Sequence, residues 1–171
     1  MSGEVVENRQ GVDYLAVARE VLRVEAEAIA VMADSLGEDF CAAIDKILDV
    51  KGRVICVGIG KSGHVARKIA ATLSSTGTAA YFVHPVEASH GDLGMIQTSD
   101  IVLALSRSGE TAEMDDLIQY TRRFNVGLIA ITSSRESTLG RAADIVLQLP
   151  ASPEACPETN APTTSTTLSM A

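Results

Sequence analysis

Apolar side chains follow two different patterns along the chain, and the change falls near residue 50. In the first part they recur at steps of three and four residues, which predicts amphipathic helices within residues 13–50. The two stripes consist of Leu15, Ala18, Leu22, Ala26, Ile29 and Met32, and of Phe40, Ala43, Ile44, Ile47 and Leu48. We expect these helices to pack on the rest of the domain or on another subunit, after a flexible segment of residues 1–12.

From Arg53 onward, short and nearly continuous apolar runs alternate with longer stretches that suit helices. Runs without strict polar alternation are typical of strands that are buried on both faces. The runs cover residues 54–57, 80–83, 101–105, 127–131 and 145–149. The stretches between them, at about 63–75, 110–124 and 137–143, are long enough to be crossover helices. The predicted fold of this single domain is therefore doubly wound α/β, with three layers and a parallel sheet of about five strands.

The composition excludes several classes of function. The formal net charge is −8 and the chain has no run of lysines and arginines, so nucleic acid is not expected as a partner. The N-terminus is acidic and no apolar run reaches membrane-spanning length, so we expect neither export nor membrane association. The three widely spaced cysteines, an odd number, favour a reduced, cytoplasmic protein.

The first candidate binding turn, residues 58–63, follows the first predicted strand. Its glycines and the next helix N-terminus suit an anionic ligand, to which Lys61 and Ser62 add a charge and a hydroxyl. The Gly-x-Gly-x-x-Gly spacing also fits a dinucleotide site, but the second strand ends at His84-Pro85 without the acidic residue or arginine that a ribose or its phosphate needs. A Walker A loop is excluded because Ile55 stands where that motif requires glycine.

The second candidate turn, residues 106–111, follows the third predicted strand. Ser106, Ser108 and Thr111 supply three hydroxyls, and Gly109 allows a tight turn into a helix that we expect to begin at about Glu110. This combination suits a single phosphate group. The alternative is an ordinary helix cap. A second anion-binding turn at the same sheet edge favours a small phosphate ester.

Residues 83–94 form a predicted loop that is dense in titratable groups. A metal site is one interpretation, but no cysteine is near and the spacing of zinc-binding motifs is absent, so we expect no metal. We expect His84 to cap a strand and Asp92 to close a turn. His90 is the better candidate for proton transfer or for binding a substrate hydroxyl.

Two carboxylates complete the candidate site. Glu113 lies three residues after Glu110, and position alone does not choose between them. Glu154 lies among prolines after the last strand, where a rigidly held carboxylate suits a general base, although an exposed loop glutamate is the alternative. Residues 163–167 are a run of hydroxyl side chains that can cap a final helix. That helix has no stop signal before the last residue, which suggests that the chain is truncated.

These motifs resemble those of the sugar isomerase (SIS) domain family, and in particular of its D-arabinose 5-phosphate isomerases, which begin Kdo synthesis for lipopolysaccharide. The resemblance covers nearly the whole chain. The general signals of the family are residues 60–63 and 106–111. The more specific signals are residues 75–78, 82–94, 154–157 and 161–167.

The resemblance implies the interconversion of D-ribulose 5-phosphate and D-arabinose 5-phosphate through an enediol, without a cofactor or metal, by a homotetramer that uses its N-terminal helices. The phosphate would be held by Ser62, Ser106, Ser108 and Thr111. By matching positions, Glu154 would be the proton-shuttling base and Lys61 would stabilise the enediolate. His90 and Glu113 would orient hydroxyls or aid ring opening.

The chain also departs from the family pattern. Val86 replaces a usual glycine, Arg107 replaces a small polar residue, and residues 158–160 replace an apolar segment. Full-length relatives continue into a segment with a further histidine and often into CBS modules, so this chain is expected to bind substrate but to turn it over poorly. The alternatives are a non-catalytic phosphosugar sensor, which no basic recognition helix before Arg53 supports, and an SIS isomerase of another sugar phosphate.

Overall fold

The computed structural model describes residues 12–156 and 161–171. The predicted flexible segment, apart from Val12, lies outside the described residues, and so does the departure at residues 158–160. Two helices open the described chain, α1 (Tyr14–Ser35) and α2 (Glu38–Leu48). Within the described ranges, no helix is both long and apolar enough to span a bilayer.

Strands and helices then alternate, as the sequence predicts. The elements are β1 (Val54–Gly58), α3 (Gly60–Ser75), β2 (Ala80–Val83), α4 (Pro85–Ser89), β3 (Ile101–Leu105), α5 (Asp115–Phe124), β4 (Gly127–Thr132), α6 (Thr138–Ala142), β5 (Ile145–Gln148) and α7 (Thr164–Met170). Two 3-10 turns, Asp92–Met95 and Ala112–Met114, precede β3 and α5.

The five strands form one parallel sheet in the order β2-β1-β3-β4-β5. In β1, Ile55 and Val57 point to a core that includes α5 and α6, whereas Val54 and Cys56 point to a core that includes α2 and α3. Helices therefore cover both faces, and the predicted doubly wound, three-layer fold is confirmed.

Helix α3 begins three residues earlier than the sequence predicts. A Cβ atom on Gly58 would lie 2.7 Å from the carbonyl oxygen of Ser62, and one on Gly63 would lie 2.7 Å from the carbonyl oxygen of Gly58. The two glycines thus let the first turn of α3 pack directly against the end of β1. As a result, Lys61 and Ser62 lie within the first helical turn rather than in a loop before it.

The two other segments with predicted ligands also differ from expectation. Helix α5 begins at Asp115 rather than near Glu110, because a 3-10 turn comes first. Residues 83–94 contain α4 rather than only a loop. His84 caps this helix, not a strand, since its Nδ1 accepts a hydrogen bond of 3.3 Å from the amide of Val86.

The N-terminal helices leave much of their apolar stripes uncovered. Ala28 and Ala43 are buried, but Leu22 is 66% exposed and Leu48 is 72% exposed. An apolar groove of about 870 Å³ lies between these helices, α3 and α7. The stripes therefore do not all serve the core of a single chain.

Asp100 links the start of β3 to the segment before β1 through hydrogen bonds. Its carboxylate accepts hydrogen bonds from the amides of Arg53 (2.8 Å) and Gln97 (2.9 Å), and from the Nη2 of Arg53 (3.1 Å). Burial would raise the pKa of Asp100, but the hydrogen bonds from Arg53 and Gln97 outweigh it and hold that pKa below its usual value.

Replacing Asp100 by asparagine should lower the free energy of unfolding by about 1–3 kcal/mol at neutral pH, because buried donors lose a charged acceptor. The depressed pKa means that this stabilisation is present above about pH 4 and is lost as the pH falls through the pKa of the folded state. Urea unfolding between pH 3 and pH 7 measures both effects. Asp45→Asn, on the exposed face of α2, is the control and should change stability by less than about 0.5 kcal/mol. Equal acid sensitivity of Asp100→Asn and the wild type would contradict this role.

Candidate active site

The strand order reverses between β1 and β3, and this reversal positions the site. The chain leaves β1 for α3 on one face of the sheet, and it leaves β3 for α5 on the other. A crevice is expected at the carboxyl ends of two neighbouring strands whose helices diverge in this way. Both candidate anion-binding turns follow these two strands, so the fold brings them to the same end of the sheet.

The first of these segments presents a free positive charge. Lys61 lies in the first turn of α3 and is exposed, and Ser62 beside it is partly buried. Within residues 12–156 and 161–171, no carboxylate lies within ion-pair distance of the Lys61 amine. The helix N-terminus adds unpaired amides with a positive dipole. Both features favour an anionic ligand.

The second segment is a tight turn that is stabilised by hydrogen bonds of its own hydroxyl groups. Ser106 Oγ lies 2.8 Å from Thr111 Oγ1 and accepts the amide of Gly109 at 3.1 Å. Ser108 Oγ accepts the amide of Glu110 at 3.2 Å. Gly109 has a φ of +69°, and a side chain there would collide with Ser137. Of the three predicted phosphate-binding hydroxyls, those of Ser106 and Thr111 are therefore in contact, and that of Ser108 lies in the same turn.

Glu110 and Glu113 are distinguished by their contacts. The carboxylate of Glu110 accepts the amide of Thr138 at 2.9 Å and its hydroxyl at 2.7 Å, which caps α6. These hydrogen bonds, the side-chain one first, lower the pKa of Glu110. Glu113 is exposed in the 3-10 turn before α5. Glu110 thus has a structural task, and Glu113 is the carboxylate that remains available.

The side chain of Glu154 is buried, with only 6% of its surface exposed. Its Oε2 accepts the amide of Thr163 at 2.8 Å, the hydroxyl of Thr163 at 3.1 Å and the amide of Ser165 at 3.3 Å. These donors lie at the start of α7, so the carboxylate caps that helix. The alternative of an exposed loop glutamate is wrong, because the hydroxyl-rich run folds over the side chain.

The second oxygen of Glu154 pairs with Arg107, whose Nη1 lies 2.6 Å from Oε1. The contact between Nη1 and Oε1 does not have the geometry of a hydrogen bond. The buried Oε1 accepts no hydrogen bond from the described residues. Burial would raise the pKa of Glu154, but hydrogen bonds from Ser165 and Thr163 outweigh it and leave the pKa below its usual value. Glu154 is therefore ionised at neutral pH, next to the turn at 106–111.

The backbone of Arg107 is fixed on the neighbouring strand end. Its carbonyl oxygen accepts hydrogen bonds from the amide of Ser133 (2.9 Å), the hydroxyl of Ser133 (2.7 Å) and the hydroxyl of Thr132 (3.1 Å). The sequence marks Arg107 only as a departure from the family pattern. Its contact with Glu154 joins distant parts of the chain, and no local pattern predicts it.

The remaining predicted site residues have fewer described contacts. His90 follows α4 and is exposed, with its amide bonded to the carbonyl oxygen of Glu87 at 3.0 Å. An ion pair joins Glu154 to the turn at 106–111. Among the described residues, the side chains of Lys61, His90 and Glu113 make no hydrogen bond or ion pair with either of them. In the part of the chain that the structure describes, no three His, Cys, Asp or Glu side chains are grouped as metal ligands would be.

Comparisons with known proteins agree with this geometry. Arabinose 5-phosphate isomerase KdsD of Yersinia pestis is 51% identical over 160 residues, covering 94% of this chain and 49% of the relative. The KdsD of Pseudomonas aeruginosa is 48% identical over 161 residues, again covering 94% of this chain and 49% of the relative. The solved structure of E. coli CFT073 c3406 in complex with arabinose 5-phosphate is 36% identical, with a TM-score of 0.89, and covers 95% of this chain and 86% of that one.

The chain spans about half the length of the curated relatives that it matches. A family model described as the SIS domain matches residues 46–171, which include both candidate turns and Glu154. Because this match extends over much more than half of the chain, the chain belongs to the SIS domain family.

Proposed function

We propose that the chain is the single SIS domain of an aldose–ketose isomerase that interconverts D-ribulose 5-phosphate and D-arabinose 5-phosphate. The observation that carries the proposal is the ion pair of Arg107 with Glu154, which places a buried, ionised carboxylate beside a turn of three hydroxyls. The names of the similar curated proteins and the arabinose 5-phosphate complex of the similar solved structure support the choice of substrate.

The phosphate group of the substrate binds between the two turns. Ser106, Ser108 and Thr111 turn their hydroxyls toward it from one side, and Ser62 does so from the first turn of α3. Ser108 accepts an amide within the turn and keeps its O–H for the phosphate, whereas Ser106 and Thr111 exchange the hydrogen bond between their hydroxyls for bonds to phosphate oxygens. These bonds are stronger because the acceptor is charged. The amides at the start of α3 add to the attraction.

The reaction needs a base and a stabilised oxyanion. Glu154 removes a proton from C1 of ribulose 5-phosphate, and the electrons of that bond form the C1–C2 double bond of an enediolate. The negative charge collects on the oxygen of C2, where the ammonium group of Lys61 stabilises it. Return of the proton from Glu154 to C2, and transfer of the C1 hydroxyl proton to the oxygen of C2, give the aldehyde and the C2 hydroxyl of the aldose. The face of C2 that receives the proton decides between arabinose and ribose stereochemistry.

The two other candidates, His90 and Glu113, act on the sugar part of the substrate rather than on its phosphate group. His90 and Glu113 are exposed side chains that follow α4 and precede α5, on the face of the sheet opposite α3. We assign them to orienting hydroxyls of the sugar and to opening the ring of the aldose. The capping role of Glu110 supports the choice of Glu113.

The exposed apolar stripes support a homotetramer that is assembled through α1 and α2. The groove beside these helices reaches Arg107 but is lined by none of the four predicted phosphate-binding residues, so we assign it to contacts between subunits. The partner in the reaction is a small sugar phosphate, and no nucleic acid or membrane is required. The free thiols of the exposed Cys41 and the buried Cys56 are consistent with a cytoplasmic protein.

Ser108→Ala should raise the Kd for ribulose 5-phosphate by about five- to tenfold, because one hydrogen bond to a charged phosphate is lost. Isothermal titration calorimetry measures the affinity. Ser99→Ala is the matched control, since Ser99 is exposed and lies just before β3, at the opposite edge of the sheet. Equal affinities of Ser108→Ala and Ser99→Ala would contradict the phosphate site.

Glu154→Gln should lower kcat by about a hundredfold or more and change the Kd for ribulose 5-phosphate by less than about threefold, because the base is lost while the phosphate site remains. Conversion to arabinose 5-phosphate is measured on this chain and on a version extended to the length of its relatives. Asp13→Asn, the same carboxylate-to-amide change at the residue that caps α1, controls for neutralising a capping side chain. If binding and turnover fall together, Glu154 is not the base.

Sedimentation velocity should show a tetramer rather than a monomer. Leu22→Glu places a charge on the exposed stripe of α1 and should shift the protein toward smaller species, because a buried apolar contact is replaced by a charge. Glu27→Lys, an exposed change on the same helix, should leave the tetramer intact. A wild-type protein that sediments as a monomer at micromolar concentration would overturn this assembly.

A further inference from the structure

We infer that Arg107 is a latch on Glu154. Its guanidinium pairs with the proton-accepting oxygen of Glu154 until the phosphate of the substrate binds the guanidinium instead. This inference rests on the proposed function, since it assigns a control to the base named there. Three observations carry it: the unequal roles of the two carboxylate oxygens, the unequal exposure of the two side chains, and the place of Arg107 within the phosphate-binding turn.

The two oxygens of Glu154 have different tasks. Oε2 accepts three hydrogen bonds from Thr163 and Ser165, so its lone pairs are already used. Oε1 accepts no hydrogen bond from the described residues, and its partner is the Nη1 of Arg107 at 2.6 Å. A base needs an oxygen with a free lone pair. Oε1 is therefore the atom that receives the proton, and the guanidinium of Arg107 is in contact with it.

Only one member of the pair is free to leave. The side chain of Arg107 is 48% exposed, whereas that of Glu154 is 6% exposed and fastened at Oε2. The backbone of Arg107 is held through its carbonyl oxygen by Ser133 and Thr132. The guanidinium therefore moves by rotation of its side chain, while the carboxylate and the turn keep their positions.

The substrate carries a group that competes for the guanidinium. Arg107 stands between Ser106 and Ser108, the hydroxyls that we assign to the phosphate. A phosphate ester carries a charge of about −1.5 to −2 and offers a guanidinium two parallel hydrogen bonds, which the single contact to Oε1 does not. No proton moves in this exchange. The arginine changes its anionic partner, and the carboxylate stays ionised.

The exchange makes Glu154 a stronger base. A nearby positive charge favours the ionised form of a carboxylate, so removing the guanidinium raises the pKa of Glu154. Within the described ranges, Arg107 is the one charged group paired with Glu154, and its other partners are the hydrogen-bond donors at the start of α7. A sugar without a phosphate leaves the latch closed, so the phosphate serves turnover as well as binding.

The latch is tested by carbon-13 NMR of glutamate side-chain carboxyls, which reports the pKa of Glu154 directly. Glu154→Gln identifies the resonance. The pH titration is run on the wild type and on Arg107→Gln, each with and without saturating ribulose 5-phosphate. Arg135→Gln is the matched control, because Arg135 is 47% exposed and is also paired with a carboxylate, that of Asp39.

In the wild type, ribulose 5-phosphate should raise the pKa of Glu154, partly through direct repulsion by the phosphate and partly by opening the latch. In Arg107→Gln the pKa should start higher, and the shift caused by the ligand should be less than about half as large, because only the repulsion remains. Arg135→Gln should behave as the wild type. Arg107→Lys should retain more of the shift than Arg107→Gln, because it keeps the charge.

Equal ligand-induced shifts in the wild type and in Arg107→Gln would overturn the latch and leave the proposed function standing. Failure of the wild type to bind ribulose 5-phosphate would overturn both. If Arg107→Gln does not fold, Arg107→Met, which also removes the charge, takes its place. Equal ligand-induced shifts in the wild type and in Arg107→Met would likewise overturn the latch.

Discussion

The reversal of strand order between β1 and β3 is the constraint on which the rest of the structure depends. It sends α3 and α5 to opposite faces of the sheet and leaves the carboxyl ends of two central strands accessible. Both strands are buried on both faces, so packing fixes where they end and where the following turns stand. The positions of the two candidate turns are thus set by the packed core.

Much of this fold could be predicted from the sequence, because a strand that is buried on both faces leaves a local, continuous apolar run. Every predicted strand is present, with ends that differ by one residue at most. The helix starts were harder to predict. The early start of α3 follows from contact between Gly58 and Gly63, and the late start of α5 from a 3-10 turn. Both depend on tertiary packing, which apolar spacing does not record.

The candidate site, like the fold, could be predicted from the sequence only in part. The hydroxyls of the turn at 106–111 are neighbours in sequence, so their grouping could be predicted. The burial of Glu154 could not, because it depends on donors from α7 and on the reach of Arg107 from another strand end. Likewise, the choice between Glu110 and Glu113 needed the contact of Glu110 with Thr138. Long side chains that join separate loops leave no periodic signal.

The hydrogen bonds from α7 to Glu154 have a mechanical consequence. The same carboxylate that would take up the substrate proton also begins a helix through Oε2. A carboxylate accepts hydrogen bonds more strongly than a carboxylic acid does, so each proton taken at Oε1 weakens the start of α7, and each proton returned restores it. The first turn of α7 would therefore loosen and tighten once in every catalytic cycle. Whatever packs on this helix would then be coupled to the proposed chemistry without touching the substrate.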